Sequence, residues 1–171
     1  MMIFWIKNTL YFVIVKYFDE LYGVVSADNF SWYYTPCRTR VGDGDYQFIH
    51  TIFDDYKVQS DELHNLLVDF YRQLNVTALI RNKLNCTIKE NTRRTAGFHT
   101  DNELDALTAI FYLNTNNGKT IFESGEGYES KANRLITFPS KLRHSGMVCT
   151  DVNRRMVMNV NFYWQNTNNV V

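Results

Sequence analysis

The chain of 171 residues carries 18 Lys+Arg against 18 Asp+Glu, a formal net charge of zero, with 45% hydrophobic and 15% aromatic residues. Balanced charge gives no general reason to expect nucleic acid or an anionic membrane as partner, and so much apolar and aromatic mass excludes a disordered chain. At this length a single domain that buries about 70% of its unfolded surface is expected.

Cys37, Cys86 and Cys149 are odd in number and lack metal-type spacing, which fits reduced thiols in a cytoplasmic protein better than a disulfide framework. Near the N-terminus the uncharged apolar run Leu10 to Val15 lies between Lys7 and Lys16. It is too short for a secretory core or a membrane span, so residues 1–18 read as a soluble element packed on the domain. Ile6, Leu10, Val13, Tyr17 and Leu21 fit a helical stripe, although β-branched and aromatic neighbours compete with that reading. Asp28 to Tyr33 reads as an aromatic-rich loop or edge segment, Val41 to Asp45 as a turn, and Gln47 to Phe53 as a strand. The clearest helix is Ser60 to Leu74. Ser60 can cap it, Asp61 and Glu62 suit its positive end, and Leu63, Leu66, Leu67, Phe70 and Leu74 form its buried stripe. His64 beside that stripe reads as a surface or cap-adjacent residue.

From Ala78 onward short apolar or alternating runs recur between polar turns: 78–88, 95–99, 107–114, 120–122, 134–138 and 154–164. Asn114 to Gly118 is a turn joining two of them. The pattern predicts a mainly β fold with flanking helices, a sandwich or jelly roll. No linker interrupts it, so 1–171 reads as one domain, with a core over 78–164 and supporting helices and strands over 1–77.

Gly97-Phe-His-Thr-Asp101 carries the chemistry. On an extended strand His99 and Asp101 point to one side, because side chains alternate. His144 follows in a later segment. Two imidazoles and one carboxylate, with coordination positions left open, form the ligand set that suits a non-haem Fe(II) site. Arg154 and Arg155 come next, and alternation lets only one of them face inward. If Arg155 does, so do Val157, Asn159 and Asn161; if Arg154 does, so do Met156, Met158 and Val160. Arg81, Lys83 and Asn85 alternate on one face of the preceding strand, where they either line a pocket or form a solvated face. Leu84 and Cys86 then point the other way. Arg93 and Arg94 read as solvated charges in a loop ahead of the His99 segment.

The run from Gly97 to Asn102, followed in order by 107–114, 118–122, 133–140, 143–146 and 154–161, resembles the 2-oxoglutarate- and Fe(II)-dependent dioxygenases, especially the small prolyl-4-hydroxylase-like members. The resemblance covers roughly residues 78–164, about half the chain. It implies a double-stranded β-helix, the jelly roll of cupin-like proteins. It implies that His99, Asp101 and His144 hold Fe(II) as catalytic and metal residues. It also implies that Arg155, with Asn159 at the polar position four residues on, takes the far carboxylate of 2-oxoglutarate, which leaves Arg154 an exposed charge. Tyr112 matches a family tyrosine whose hydroxyl reaches the same carboxylate; otherwise it is a core aromatic. Asn85 would line the co-substrate pocket. The reaction implied is hydroxylation of a C–H bond in a peptidyl or small-molecule substrate, using O2 and releasing succinate and CO2, with ascorbate as a candidate reductant. In a chain this short a substrate lid can come only from residues 28–58 or 87–97. Two rival readings are a cupin-like metalloenzyme that does not use 2-oxoglutarate and a non-catalytic jelly-roll binding module. The second requires that His99, Asp101 and His144 do not converge.

Overall fold

The computed structural model describes residues 15–165, with side chains from Phe18 onward, so Ile6, Leu10 and Val13 of the expected stripe lie outside the described residues. The chain opens with helix α1 (Val15–Ser26), which buries Leu21 and Val25. Strand β1 (Tyr33–Thr35) follows as a sheet edge, after Phe30 and Trp32 have packed against the core. Then come β2 (Gln47–Asp54) and β3 (Lys57–Val58).

The expected helix over Ser60–Leu74 is two short ones, α2 (Asp61–Leu66) and α3 (Val68–Gln73). Leu67 between them sits at φ −93°, ψ 1°, outside the helical well. Leu63, Leu67 and Phe70 all stay buried across the break, as their shared helical face requires. Ser60 has the extended backbone of a cap, but its hydroxyl makes no capping bond. His64 is not a surface residue: its ring packs between Phe53 and Tyr71, at centroid distances of 6.1 and 5.5 Å.

The strands β4 (Val76–Ile88), β5 (Leu107–Tyr112), β6 (Lys119–Phe122), β7 (Gly127–Glu129), β8 (Arg134–Pro139), β9 (His144–Met147) and β10 (Arg154–Trp164) complete the fold. Residues 95–99, expected as a strand, contribute only isolated bridges, Thr95 to Met147 and His99 to His144. The larger sheet runs β1-β2-β4-β10-β5-β8, with β3 on β2, and the smaller runs β7-β6-β9. Both sheets are antiparallel. They make the double-stranded β-helix, mainly β with a few short helices. Among the described residues no helix is long and apolar enough to cross a membrane.

Period-two alternation on β10 sorts the two faces of the large sheet. Met156, Met158, Val160 and Phe162 point to the helices and pack with Leu84, Cys86 and Phe111. Each such apolar side chain contributes about 1.5–3 kcal/mol on burial. Phe111 meets Phe70 at 5.5 Å and Phe18 edge-on at 6.0 Å, which fixes α1 and α3 on the sheet. Arg155, Val157, Asn159 and Asn161 point to the opposite face, into the space between the sheets. That space is apolar at one end, where Ile110, Tyr112, Phe122, Ile136, Phe138 and Val157 cluster, and polar at the other.

Candidate metal centre

The polar end is a cavity of about 180 Å³, below the size that holds drug-like ligands. The cavity wall includes His99, Asp101 and His144. One ligand atom from each of the three lies within 4.8 Å of the other two, and no other group of His, Cys, Asp or Glu among the described residues converges so. A binding module whose triad stays apart is therefore excluded.

Backbone pairing brings the triad together. The His99 N–H donates to the His144 carbonyl at 3.0 Å and receives the reciprocal bond at 2.9 Å, and the ring centroids are 4.6 Å apart. The Asp101 N–H donates to the Ser140 carbonyl at 3.1 Å. So His99 and Asp101 are positioned one by one against β9 and the end of β8, and not by a continuous strand. His99 Nδ1 lies 3.2 Å from the Gly97 carbonyl and His144 Nδ1 lies 3.0 Å from the Leu142 carbonyl. Those contacts place the N–H on Nδ1 and leave Nε2 of each ring as the free donor for a metal.

Asp101 is almost fully enclosed and receives several hydrogen bonds. The Thr108 hydroxyl donates at 2.7 Å, the Asn161 amide at 3.0 Å, Arg81 at 3.3 Å and Asn159 at 3.4 Å. Burial works against its charge, but His144, the Thr108 hydroxyl and Arg81 outweigh it and hold the carboxyl below the usual carboxylate range. Burial, and then repulsion from His144, lower His99 below the ordinary histidine value. The set is thus an ionised carboxylate with a neutral imidazole, the protonation a divalent metal requires. Asn159 Oδ1 is buried without a hydrogen-bond partner at the margin of this cluster, an acceptor open to a ligand.

Arg155 faces the same cavity. Its side chain is buried, donates from Nε to the Ser130 hydroxyl at 2.9 Å and from Nη2 to the Thr120 hydroxyl at 3.2 Å, and lies over the Tyr112 ring at 5.7 Å. Burial lowers its pKa, and among the described residues no carboxylate pairs with it. Gly118 makes room for it: a Cβ there would lie 2.7 Å from Arg155 Cδ and 2.8 Å from the Met147 carbonyl. Arg154 points the other way, and it is not the free surface charge expected. It is half-buried and reaches the Ser26 carbonyl at the C-terminal end of α1, 3.4 Å away, where a cation is favoured.

Asn85 and Asn159 line the cavity. Tyr112 does not. It is fully buried behind Arg155, and its hydroxyl approaches the Tyr128 carbonyl at 3.4 Å. Arg81 and Lys83 also line the cavity, so the polar face of β4 is a pocket wall and not a solvated face. Burial and the neighbouring Arg81 lower the Lys83 pKa.

Arg38 is a cavity-lining residue that sequence reading missed. Its side chain is 5% exposed and lines the cavity, and its guanidinium pairs with Asp45 at 3.1 Å and donates to the Gly146 carbonyl at 3.3 Å. A Cβ on Gly146 would sit 3.6 Å from Arg38 Nη2 and 3.7 Å from Arg155 Nη1, so both guanidinium groups converge over that glycine. Arg94 is not merely solvated. It grips Asp45 with two bonds of 3.0 Å and Glu90 with bonds of 2.6 and 2.7 Å, tying the loop after β4 to the segment that carries Arg38. The turn over Val41 to Asp45 is closed by Asp43, whose carboxylate accepts the N–H groups of Arg38, Thr39 and Arg40.

No protein-family model matches the sequence, and no curated protein does. Solved structures do match. One is a non-haem α-ketoglutarate-dependent carbocyclase of nogalamycin biosynthesis, at TM-score 0.61 and 14% identity over 93% of this chain and 78% of that one. Another is an oxidoreductase of the 2OG-Fe(II) oxygenase family from Burkholderia pseudomallei, at TM-score 0.58 and 17% identity over 78% and 74%. A third is a prolyl-4-hydroxylase from Pseudomonas putida, at TM-score 0.56 and 12% identity over 92% and 91%. At these identities the likeness establishes the fold: the structural neighbours are 2-oxoglutarate/Fe(II) oxygenases, prolyl-4-hydroxylases among them, and this chain carries a His-x-Asp…His triad in that fold.

Proposed function

We propose that this protein is an Fe(II)- and 2-oxoglutarate-dependent dioxygenase that hydroxylates a C–H bond of a peptidyl or small-molecule substrate. The observation that carries the reading is Arg155, an enclosed guanidinium with no carboxylate partner among the described residues, across one small cavity from the triad. An unpaired buried cation is costly, and a ligand carboxylate removes that cost. A metalloenzyme indifferent to 2-oxoglutarate has no use for it.

His99, Asp101 and His144 would hold Fe(II) through two Nε2 atoms and a carboxylate oxygen. Bound there together, Fe(II) and 2-oxoglutarate would, with O2 as oxidant, supply the oxidative decarboxylation that puts one oxygen atom into succinate, releases CO2 and puts the other into the substrate C–H bond. Arg155 takes the far carboxylate with the two-pronged geometry that only a guanidinium offers. Ser130 and Thr120 hold its Nε and Nη2, and the Tyr112 ring supports it from behind. Thr108, Asn161 and Asn159 orient the Asp101 carboxylate. Ile110 and Val157 keep the floor between anchor and triad apolar and exclude water.

Purified protein, with ascorbate keeping the metal reduced, is expected to release succinate from 2-oxoglutarate only with Fe(II) and O2. His99→Ala and Asp101→Ala should abolish that release, and turnover that persists in them would refute the assignment.

A further inference from the structure

The chain is neutral overall, yet its cavity is not. Arg38, Arg81, Lys83 and Arg155 line it, against one carboxylate, Asp101. Two of these cations are satisfied: Arg81 pairs with Asp101 at 3.3 Å and Arg38 with Asp45 at 3.1 Å. Arg155 and Lys83 have no ion pair among the described residues. On the function proposed above, on which this inference rests, 2-oxoglutarate brings two carboxylates. One neutralises Arg155. The other, with Asp101, balances the two charges of Fe(II), so Asp101 no longer offsets Arg81. Lys83 and Arg81 are left over.

Register places Lys83 where the co-substrate anchor is not. On β4 the residue opposite Arg155 is Thr87, whereas Lys83 lies opposite Asn159, which donates to Asp101. Four residues of strand separate the two positions, about 13 Å along the sheet. Arg155 and Lys83 therefore mark opposite ends of the cavity floor, and Lys83 is at the metal end. Next to it, Arg81 Nε is a buried donor with no acceptor. We propose that the primary substrate carries an anionic group, a carboxylate or a tetrahedral oxyanion, which Lys83 receives beside the metal with Arg81 as second donor. A neutral substrate there would leave the half-buried ammonium unpaired in the cavity wall, at a cost that selects against it.

The test uses the whole protein loaded with Mn(II) and saturating 2-oxoglutarate, which cannot turn over. Sodium sulfate and sodium acetate are titrated separately at constant ionic strength against chloride, and the thermal midpoint and the water-proton relaxation of Mn(II) are followed. At least one of the two is expected to bind saturably, the better one identifying the type of group. Lys83→Met should weaken that binding about tenfold or more, the worth of one hydrogen bond to a charged group, while Arg93→Met should not. Anion binding no better than chloride, or unchanged in Lys83→Met, overturns the proposal. So does a Lys83→Met variant that loses affinity for 2-oxoglutarate itself, because Lys83 is then a co-substrate anchor. If the unaltered protein fails to bind 2-oxoglutarate, the function proposed above falls by itself, and the same titration on protein loaded with Mn(II) alone still decides whether Lys83 holds an anion.

Discussion

His99 and His144 are each other's backbone partners, joined by reciprocal N–H to carbonyl bonds of 3.0 and 2.9 Å. The two imidazoles are thus brought together by main-chain atoms that any residue supplies. His99→Ala should therefore keep the pairing and the fold while losing metal. Outer-shell partners of metal ligands are worth about 10–100-fold in affinity, and a ligand itself should exceed the upper figure. Calorimetric titration with Mn(II), beside a thermal melt, checks both halves. Retained metal affinity would remove His99 from the ligand set.

The His99 environment also sets a pH dependence. Its folded-state pKa lies below the ordinary value of about 6.5. Between those two values the unfolded chain binds a proton that the folded chain refuses, so stability rises with pH across that window and levels off above it. Asp101, also held low, contributes stability that is present above about pH 3.9 and is lost as pH falls through its folded value. The unfolding free energy of metal-free protein should therefore decline as pH falls below about 6.5, and His99→Gln should remove the first decline. Denaturant titrations across that range measure it.

Arg155 depends on a neighbour without a side chain. A methyl at Gly118 would collide with Arg155 Cδ at 2.7 Å and with a main-chain carbonyl at 2.8 Å that cannot swing aside. Gly118→Ala should weaken 2-oxoglutarate binding about tenfold or more, the loss of one charge-assisted bond, with Mn(II) affinity unchanged. Tyr112→Phe should matter far less, because its ring supports the guanidinium and its hydroxyl does not line the cavity. A Tyr112→Phe loss as large as that of Gly118→Ala would restore the hydroxyl to the co-substrate.

The ion pair under Arg38 is enclosed, with the Arg38 and Asp45 side chains 5% and 8% exposed. Removing one partner of a buried pair costs about 3–5 kcal/mol. Arg94 is partly in water, so Asp45→Asn should fall near 3 kcal/mol, a drop in melting temperature of roughly 6–12 °C. Glu90→Gln, on the outer side of Arg94, should change stability by less than about 1 kcal/mol. Equal effects from the two variants would show that Asp45 is not the buried hub.

The inward face of β10 was legible because it rests on local periodicity, and the triad because of its donor types, although His99 and Asp101 do not share a continuous strand. Strand alternation alone states that Arg155, Val157, Asn159 and Asn161 share a side, and a small set of donor types then suggests the metal. Arg38 and Asp45 were not legible, because the 38–45 segment has no period and its contacts to Gly146 and Arg94 span 108 and 49 positions. Leu67 was hidden for the opposite reason. The stripe from Leu63 to Phe70 is continuous by sequence, and nothing in its period marks the break at Leu67. Tyr112 shows how far a pattern reaches: the strand position was readable, but not whether the ring or its hydroxyl does the work. Arg154 had no visible partner because the end of α1 lies at the far end of the chain.

The most direct measurement is anaerobic. Fe(II) and 2-oxoglutarate are added to the full chain and the visible spectrum is recorded. A weak metal-to-ligand charge-transfer band is expected, lost in His99→Ala and weakened in Gly118→Ala. A spectrum that is the sum of its components, in protein shown by calorimetry to have bound the metal, would contradict the joint site formed by the triad and Arg155.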